Sequence, residues 1–157
     1  MKPWIKPLLK MIIPIAVILI LFQFGKLYGI AAIVVLLIYL GFKLRTNVYV
    51  AQANARFAKK DLPGAAEGFD KAYKASKKPA YAVSRAFVLL KNGQAQDAIQ
   101  LLEDILKQSL PRTEEMNAKV NYALALWMTG KEDQALEVME AVFADFKNTI
   151  GYGNLRP

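Results

Sequence analysis

Hydrophobic residues form one long, nearly unbroken run near the start of the chain. From Met11 to Phe42 the only charged residue is Lys26, which stands between Gly25 and Gly29. A single helix of that length would measure about 48 Å, whereas the hydrocarbon layer of a bilayer is about 30 Å thick. The pattern therefore predicts two membrane helices, residues 7–24 and 27–44, each about 27 Å long. A turn at residues 24–29 joins them, because glycine permits tight backbone geometry.

The charges around this run predict its orientation in a membrane. Residues 1–45 hold no acid and six cations, namely Lys2, Lys6, Lys10, Lys26, Lys43 and Arg45. Only Lys26 lies in the turn, and the other cations flank the two helices. Because flanks rich in Lys and Arg stay in the cytoplasm, we expect a multi-pass protein of a bacterial-type inner membrane. Its N-terminus and the part that follows the hairpin are predicted to be cytoplasmic.

The apolar run is interpreted as an anchor. No Asp, Glu, Arg or His lies at mid-membrane depth, where ionisable residues usually mark transport or proton relay. The alternative is a cleaved secretory signal, with a basic start and small residues at Gly29, Ala31 and Ala32. The run continues past these residues to Phe42 without the polar start of a mature protein, which favours the anchor.

Beyond residue 45 the apolar positions recur in three copies with helical spacing. Three alanines correspond and stand 33 and 37 residues apart: Ala65, Ala98 and Ala135. Four residues later come Phe69, Leu102 and Met139, and seven later come Ala72, Ile105 and Val142. Twelve residues before Ala65, Ala98 and Ala135 stand three further alanines: Ala53, Ala86 and Ala123. This spacing predicts paired helices with a small residue where the two helices approach closely.

A helix–turn–helix unit with a period near 34 residues resembles the tetratricopeptide repeat. The resemblance covers residues 46–78, 79–112 and 116–149, although the family's first-helix tryptophan and closing proline are missing. It implies an all-α fold in which three helix pairs stack into an α-solenoid with a concave groove. The alternative is an ordinary helical bundle. The predicted organisation is thus a hairpin at residues 1–45, repeats at residues 46–149 and a tail at residues 150–157.

In this family the first helix of each pair lines the groove, which binds a segment of a protein partner. The resemblance implies a groove here that contains Asn54, Phe87, Leu90, Asn117, Asn121, Leu124 and Trp127. These side chains are apolar or carry amides, and the family's cationic clamp for a terminal carboxylate is missing. An apolar helix or an extended segment is therefore the favoured ligand. The alternative is that Phe87, Leu90, Leu124 and Trp127 form core between adjacent repeats.

The residue types argue against an enzyme. Cysteine and histidine are absent, which removes the thiolate nucleophile and the commonest general base and metal ligand. Paired carboxylates such as Glu114 with Glu115 are interpreted as solvated helix surface, and no phosphate-binding or dinucleotide fingerprint occurs. We therefore predict no catalytic residue, no cofactor, no metal and no small-molecule substrate.

The net charge of +8 is concentrated towards the start of the chain. Residues 46–78 hold seven cations and three acids, and residues 79–157 hold eight cations and ten acids. A basic excess next to apolar helices fits anionic lipid head groups, so the bilayer is a predicted partner and nucleic acid is not.

Two functions remain open from the sequence. The favoured hypothesis is a membrane-anchored scaffold or adaptor that binds a protein partner. The alternative is a small accessory subunit of a transporter or envelope-synthesis complex, with the hairpin packed inside the complex through Gly29, Ala31, Ala32 and Gly41. The oligomeric state stays open, and a homo-oligomer is possible.

Overall fold

The computed structural model describes residues 5–150, with side chains for residues 12–145. Within that range the chain forms seven helices and no strand: α1 (Ile5–Phe24), α2 (Lys26–Ala58), α3 (Leu62–Ser76), α4 (Pro79–Lys91), α5 (Ala95–Leu106), α6 (Arg112–Met128) and α7 (Glu132–Ile150). The predicted all-helical class is therefore confirmed for these residues. The chain separates into two compact units between Leu44 and Arg45. The predicted tail lies outside the described residues, apart from Ile150, which ends α7.

The turn between α1 and α2 is narrower than predicted. Gly25 alone separates the two helices, with a φ of +147° that residues with a Cβ rarely adopt. Gly29, which was expected to belong to the turn, lies inside α2 and is buried. A Cβ at Gly29 would overlap the ring of Phe22. Gly29 thus serves close packing against a side chain of α1 instead of a turn.

The first unit leaves most of its apolar side chains exposed. Of the helices within the described residues, only α2 is long and apolar enough to cross a membrane. The part of α1 with described side chains, Ile12–Phe24, is apolar but shorter. On each helix, one stripe of residues is less exposed than the rest. The stripe on α1 consists of Pro14, Ile18 and Leu21, and the stripe on α2 consists of Gly29, Ala32 and Leu36.

The second apolar helix does not end at residue 44 but continues into the repeats. Helix α2 runs without interruption to Ala58, so its last part serves as the first helix of repeat 1 and α3 as the second. Helices α4 and α5 form repeat 2, and α6 and α7 form repeat 3. The glycines Gly93 and Gly130, with φ near +78°, end the first helices of repeats 2 and 3. The third repeat starts earlier than predicted, since α6 begins at Arg112 and not at residue 116.

The repeat phase predicted from the alanines is confirmed. The alanines that mark the phase are all buried: Ala53, Ala65, Ala86, Ala98, Ala123 and Ala135. A Cβ at Gly68 would stand 2.8 Å from the Cβ of Ala53, so α2 and α3 approach each other most closely there. Consecutive helices from α3 to α7 pack against one another, and α4 also packs on α6. The first helices of repeats 2 and 3, α4 and α6, therefore lie side by side.

Ala98→Leu is expected to destabilise the fold because Ala98 is 0% exposed and has no room for a larger side chain. Overpacking of this kind costs about 1–3 kcal/mol of unfolding free energy. Ala75→Leu adds the same atoms at an exposed position of α3 and should cost clearly less. Urea unfolding of the purified full chain, followed by circular dichroism, measures both. Equal losses would mean that the close approach of the helices at Ala98 does not limit the size of the side chain there.

Candidate functional site: a concave groove

A groove of about 480 Å³ runs along the first helices of the three repeats. Its apolar lining comes from Phe57, Phe69, Ala80, Val83, Phe87 and Val88. Its polar lining comes from Asn54, Ser84, Thr113, Glu114, Asn117 and Asn121. Because α2, α4 and α6 each contribute side chains, the groove exists only when the three repeats are stacked.

An aromatic pair connects repeats 1 and 2 at the floor of the groove. The rings of Phe57 and Phe87 have centroids 5.9 Å apart and are tilted by 43°. Lys91 holds its Nζ atom 5.5 Å from the centroid of the Phe87 ring. Tilted rings at this distance stabilise each other, so the floor is a defined apolar surface formed jointly by two repeats.

The polar side of the groove carries amides and one carboxylate. Asn54, Asn117 and Asn121 each offer a donor and an acceptor to a ligand. Glu114 is the only ionisable side chain among the described residues that line the groove. The hydroxyl of Ser84 already donates to the carbonyl oxygen of Ala80 at 2.9 Å. Among the described residues, no cluster of three or more carboxylates is arranged to hold a metal ion.

The structure separates the predicted groove residues into three environments. Asn54, Phe87, Asn117 and Asn121 line the groove. Leu90 is only 4% exposed and belongs to the core, in agreement with the alternative interpretation. Leu124 and Trp127 lie on a second apolar surface, a cavity of about 430 Å³ shared with α7.

Helix geometry explains why Leu124 and Trp127 leave the groove. A step of three residues turns about 300° around an α-helix, so each such step drifts by about 60°. Two steps from Asn121 to Trp127 therefore turn the side chain by about 120°, away from the concave face. Glu114, which the sequence-based prediction missed, lies three residues before Asn117 and faces the groove. The available signal was its spacing of seven residues from Asn121, which brings both side chains to the same face of the helix.

Two polar links hold the neighbouring repeats together. Arg85 on α4 donates from Nη1 to Oδ1 of Asp70 on α3 at 2.8 Å. Tyr122 on α6 donates from its hydroxyl to Oε1 of Glu103 on α5 at 3.0 Å. Burial and the hydrogen bond to Glu103 both raise the pKa of Tyr122, so its hydroxyl remains a donor at neutral pH. The links fix α4 and α6 on the preceding repeats and thereby fix the shape of the groove.

The stacked helix pairs and their concave groove define a helical-repeat protein of the α-solenoid class. Residues 89–156 match the family model described as tetratricopeptide repeat. The matched segment extends from the end of α4 through repeat 3. Proteins of this family are typically protein-interaction modules and not enzymes. No curated protein and no solved structure matches the chain.

Asp70→Asn is expected to loosen the first junction. The side chain of Asp70 is only 17% exposed and pairs with both Arg85 and Lys74. Loss of a charged hydrogen bond of this kind costs about 1–2 kcal/mol. Glu67→Gln on the same helix is the matched control. Its carboxylate is 57% exposed, so solvent screens its ion pairs with Lys71 and Arg56 and its loss should shift the unfolding clearly less. Equal shifts in urea unfolding would show that the junction link does not stabilise the stack.

Proposed function

We propose that this protein is a membrane-anchored adaptor that binds a protein partner through the groove at the cytoplasmic face of a bacterial-type inner membrane. The observation that carries the proposal is the groove itself. It joins three repeats, has an apolar floor and presents the amides of Asn54, Asn117 and Asn121 beside that floor. Such a surface binds apolar side chains and the backbone groups of a peptide at the same time.

The lining of the groove restricts the chemistry of the partner. A carboxylate at Glu114, without a cation among the described lining residues, repels a terminal carboxylate. The partner segment is therefore an internal one, an apolar helix or an extended stretch, and is neutral or cationic near Glu114. Small molecules fit poorly, because the site is an open surface formed between repeats and has no enclosed pocket with convergent polar groups.

The apolar helices support a two-helix membrane hairpin as the anchor. The large apolar side chains of α1 and α2 are mostly exposed, which a hydrocarbon environment accommodates and water does not. The stripes of reduced exposure, together with the Phe22 ring against Gly29, support packing between the two helices. Lys26 directly follows the turn glycine, where its ammonium group reaches the aqueous interface.

The topology is testable because the chain contains no cysteine. Lys26→Cys is expected to react with an impermeant maleimide on intact cells, because the turn would lie outside. Lys2→Cys and Asn154→Cys should react only after permeabilisation, since both ends are proposed to be cytoplasmic. Labelling of Asn154→Cys without labelling of Lys26→Cys would reverse the topology. Labelling of both Lys2→Cys and Lys26→Cys, without labelling of Asn154→Cys, would indicate that α2 alone spans the membrane.

Asn121→Ala is expected to weaken partner binding and leave the fold intact. One lost hydrogen bond of about 1 kcal/mol corresponds to roughly fivefold weaker binding. The measurement is recovery of crosslinked partners by the tagged full chain from native membranes, next to its circular-dichroism melt. Gln100→Ala removes an amide from an exposed position of α5 outside the groove and is the control. Equal recovery with Asn121→Ala and Gln100→Ala, both folded, would contradict the groove as the binding site.

One observation favours the alternative, an accessory subunit whose hairpin packs within a complex. Nothing lies within 4 Å of a Cβ placed at Gly41, so this part of α2 is open to a neighbouring helix. Deletion of residues 1–45 discriminates between the two functions. The repeats of an adaptor still recover the partner, whereas an accessory subunit loses it with the hairpin.

A further inference from the structure

Repeat 3 ends in an apolar face that no side chain among residues 12–145 covers. We call it the terminal face and define it by the residues Val120, Leu124, Trp127, Leu136 and Met139, which line the 430 Å³ cavity between α6 and α7. Trp127 and Leu136 are each 61% exposed. A contiguous apolar surface of this kind marks an interaction site.

The repeat spacing relates the terminal face to a buried surface of repeat 2. Thirty-seven residues before Val120, Trp127, Leu136 and Met139 stand Val83, Leu90, Ile99 and Leu102. These four residues of repeat 2 are all buried, and α6, the first helix of repeat 3, packs on α4 and α5 there. The terminal face is thus the same kind of seat, and its fitting occupant is the first helix of another repeat.

Helix α2 presents the complementary surface at the other end of the stack. Ala55 and Val48 of α2 correspond in the repeat phase to Ala125 and Ala118 of α6. Both α6 residues are fully buried, whereas Val48 is 49% exposed and Ala55 is also exposed. Small and medium apolar side chains on α2 leave room for the larger side chains of the terminal face.

The polar links between repeats follow the same phase. At each internal junction, one residue of the first helix donates a hydrogen bond to a carboxylate on the preceding repeat. This residue stands directly before the buried alanine that marks the repeat phase, Ala86 or Ala123. Arg85 pairs with Asp70, and Tyr122 pairs with Glu103. The same repeat phase can be followed to the two ends of the stack. There, Gln52 holds the position of the donor on α2, and Glu140 holds the position of the carboxylate on α7. Both side chains are exposed, and an amide donor suits a carboxylate acceptor.

We propose that copies of this chain associate head to tail, with α2 of one copy seated on the terminal face of the next and Gln52 bonded to Glu140. The contact joins two different surfaces and therefore leaves a free end on each side, so the assembly continues beyond a dimer. It also aligns the grooves of successive copies, which multiplies binding to a partner that carries several segments. The proposal does not depend on the partner or on the groove.

Disulfide crosslinking of the full chain in detergent micelles tests the contact. Because the chain has no cysteine, a protein with both Gln52→Cys and Glu140→Cys forms only engineered disulfides. These two positions lie on the first and last helices of the three-repeat stack, so the proposed disulfide joins two copies. We expect a ladder of dimers, trimers and longer species under mild oxidation. The control pair combines Gln52→Cys with Ala141→Cys, which is exposed on α7 but turned about 100° from Glu140.

Charge substitutions test the same contact by light scattering at increasing protein concentration. Glu140→Lys should weaken self-association about tenfold or more, as truncation of an anchoring residue does. Glu137→Lys makes the same charge change on a side of α7 that faces away from the terminal face and should have little effect. Gln52→Glu combined with Glu140→Lys should restore association by an ion pair.

Four results would overturn the proposal. The first is a chain that stays monomeric at every concentration in light scattering. The second is disulfide crosslinking that stops at the dimer or that is equally efficient in the control pair. The third is an equal loss of self-association in Glu140→Lys and Glu137→Lys. The fourth is a chain shortened after Ile150 that associates when the full chain does not, which would assign the terminal face to residues 151–157. Each measurement is made without a partner, so failure here leaves the proposed adaptor function untouched.

Discussion

The close approach of two helices at small residues is the contact on which the rest of the repeat unit depends. At the crossing of α2 and α3, Ala53 meets Gly68 with no space for another carbon atom. The pairs Ala86 with Ala98 and Ala123 with Ala135 in repeats 2 and 3 correspond in the repeat phase to Ala53 with Ala65, and all of them are buried. Only when these pairs approach closely can the larger side chains around them interlock, and a tightly packed interior does not tolerate added volume there.

The helix pairs in turn define two surfaces with different chemistry. The concave side combines an aromatic floor at Phe57 and Phe87 with the amides of the groove, so it suits a peptide segment. The terminal face is almost wholly apolar and repeats a seat that is filled inside the stack. A helical-repeat architecture produces both surfaces at once, because each repeat offers one face to a ligand and another to its neighbour.

The two units of the chain satisfy their apolar residues in opposite ways. The first unit exposes large side chains such as Leu27 and Val35, as a helix proposed to lie in hydrocarbon would. The repeat unit buries Leu102, Ile105 and Leu126 against other side chains. The helix α2 contributes to both units, which is why its first part has the pattern of a membrane segment and its last part that of a repeat helix.

The sequence by itself determined the apolar run, the helical spacing and the repeat phase, because each depends on the local period of small, large and polar residues. It also identified Asn54, Phe87, Asn117 and Asn121, which lie close to the concave side in the repeat phase. Only the tertiary structure placed Leu90 in the core and Leu124 and Trp127 on the terminal face. The reason is the drift of about 60° per three-residue step around a helix, which decides the neighbour that a side chain meets. The junction pairs Arg85–Asp70 and Tyr122–Glu103 likewise join different helices, so no local spacing reveals them.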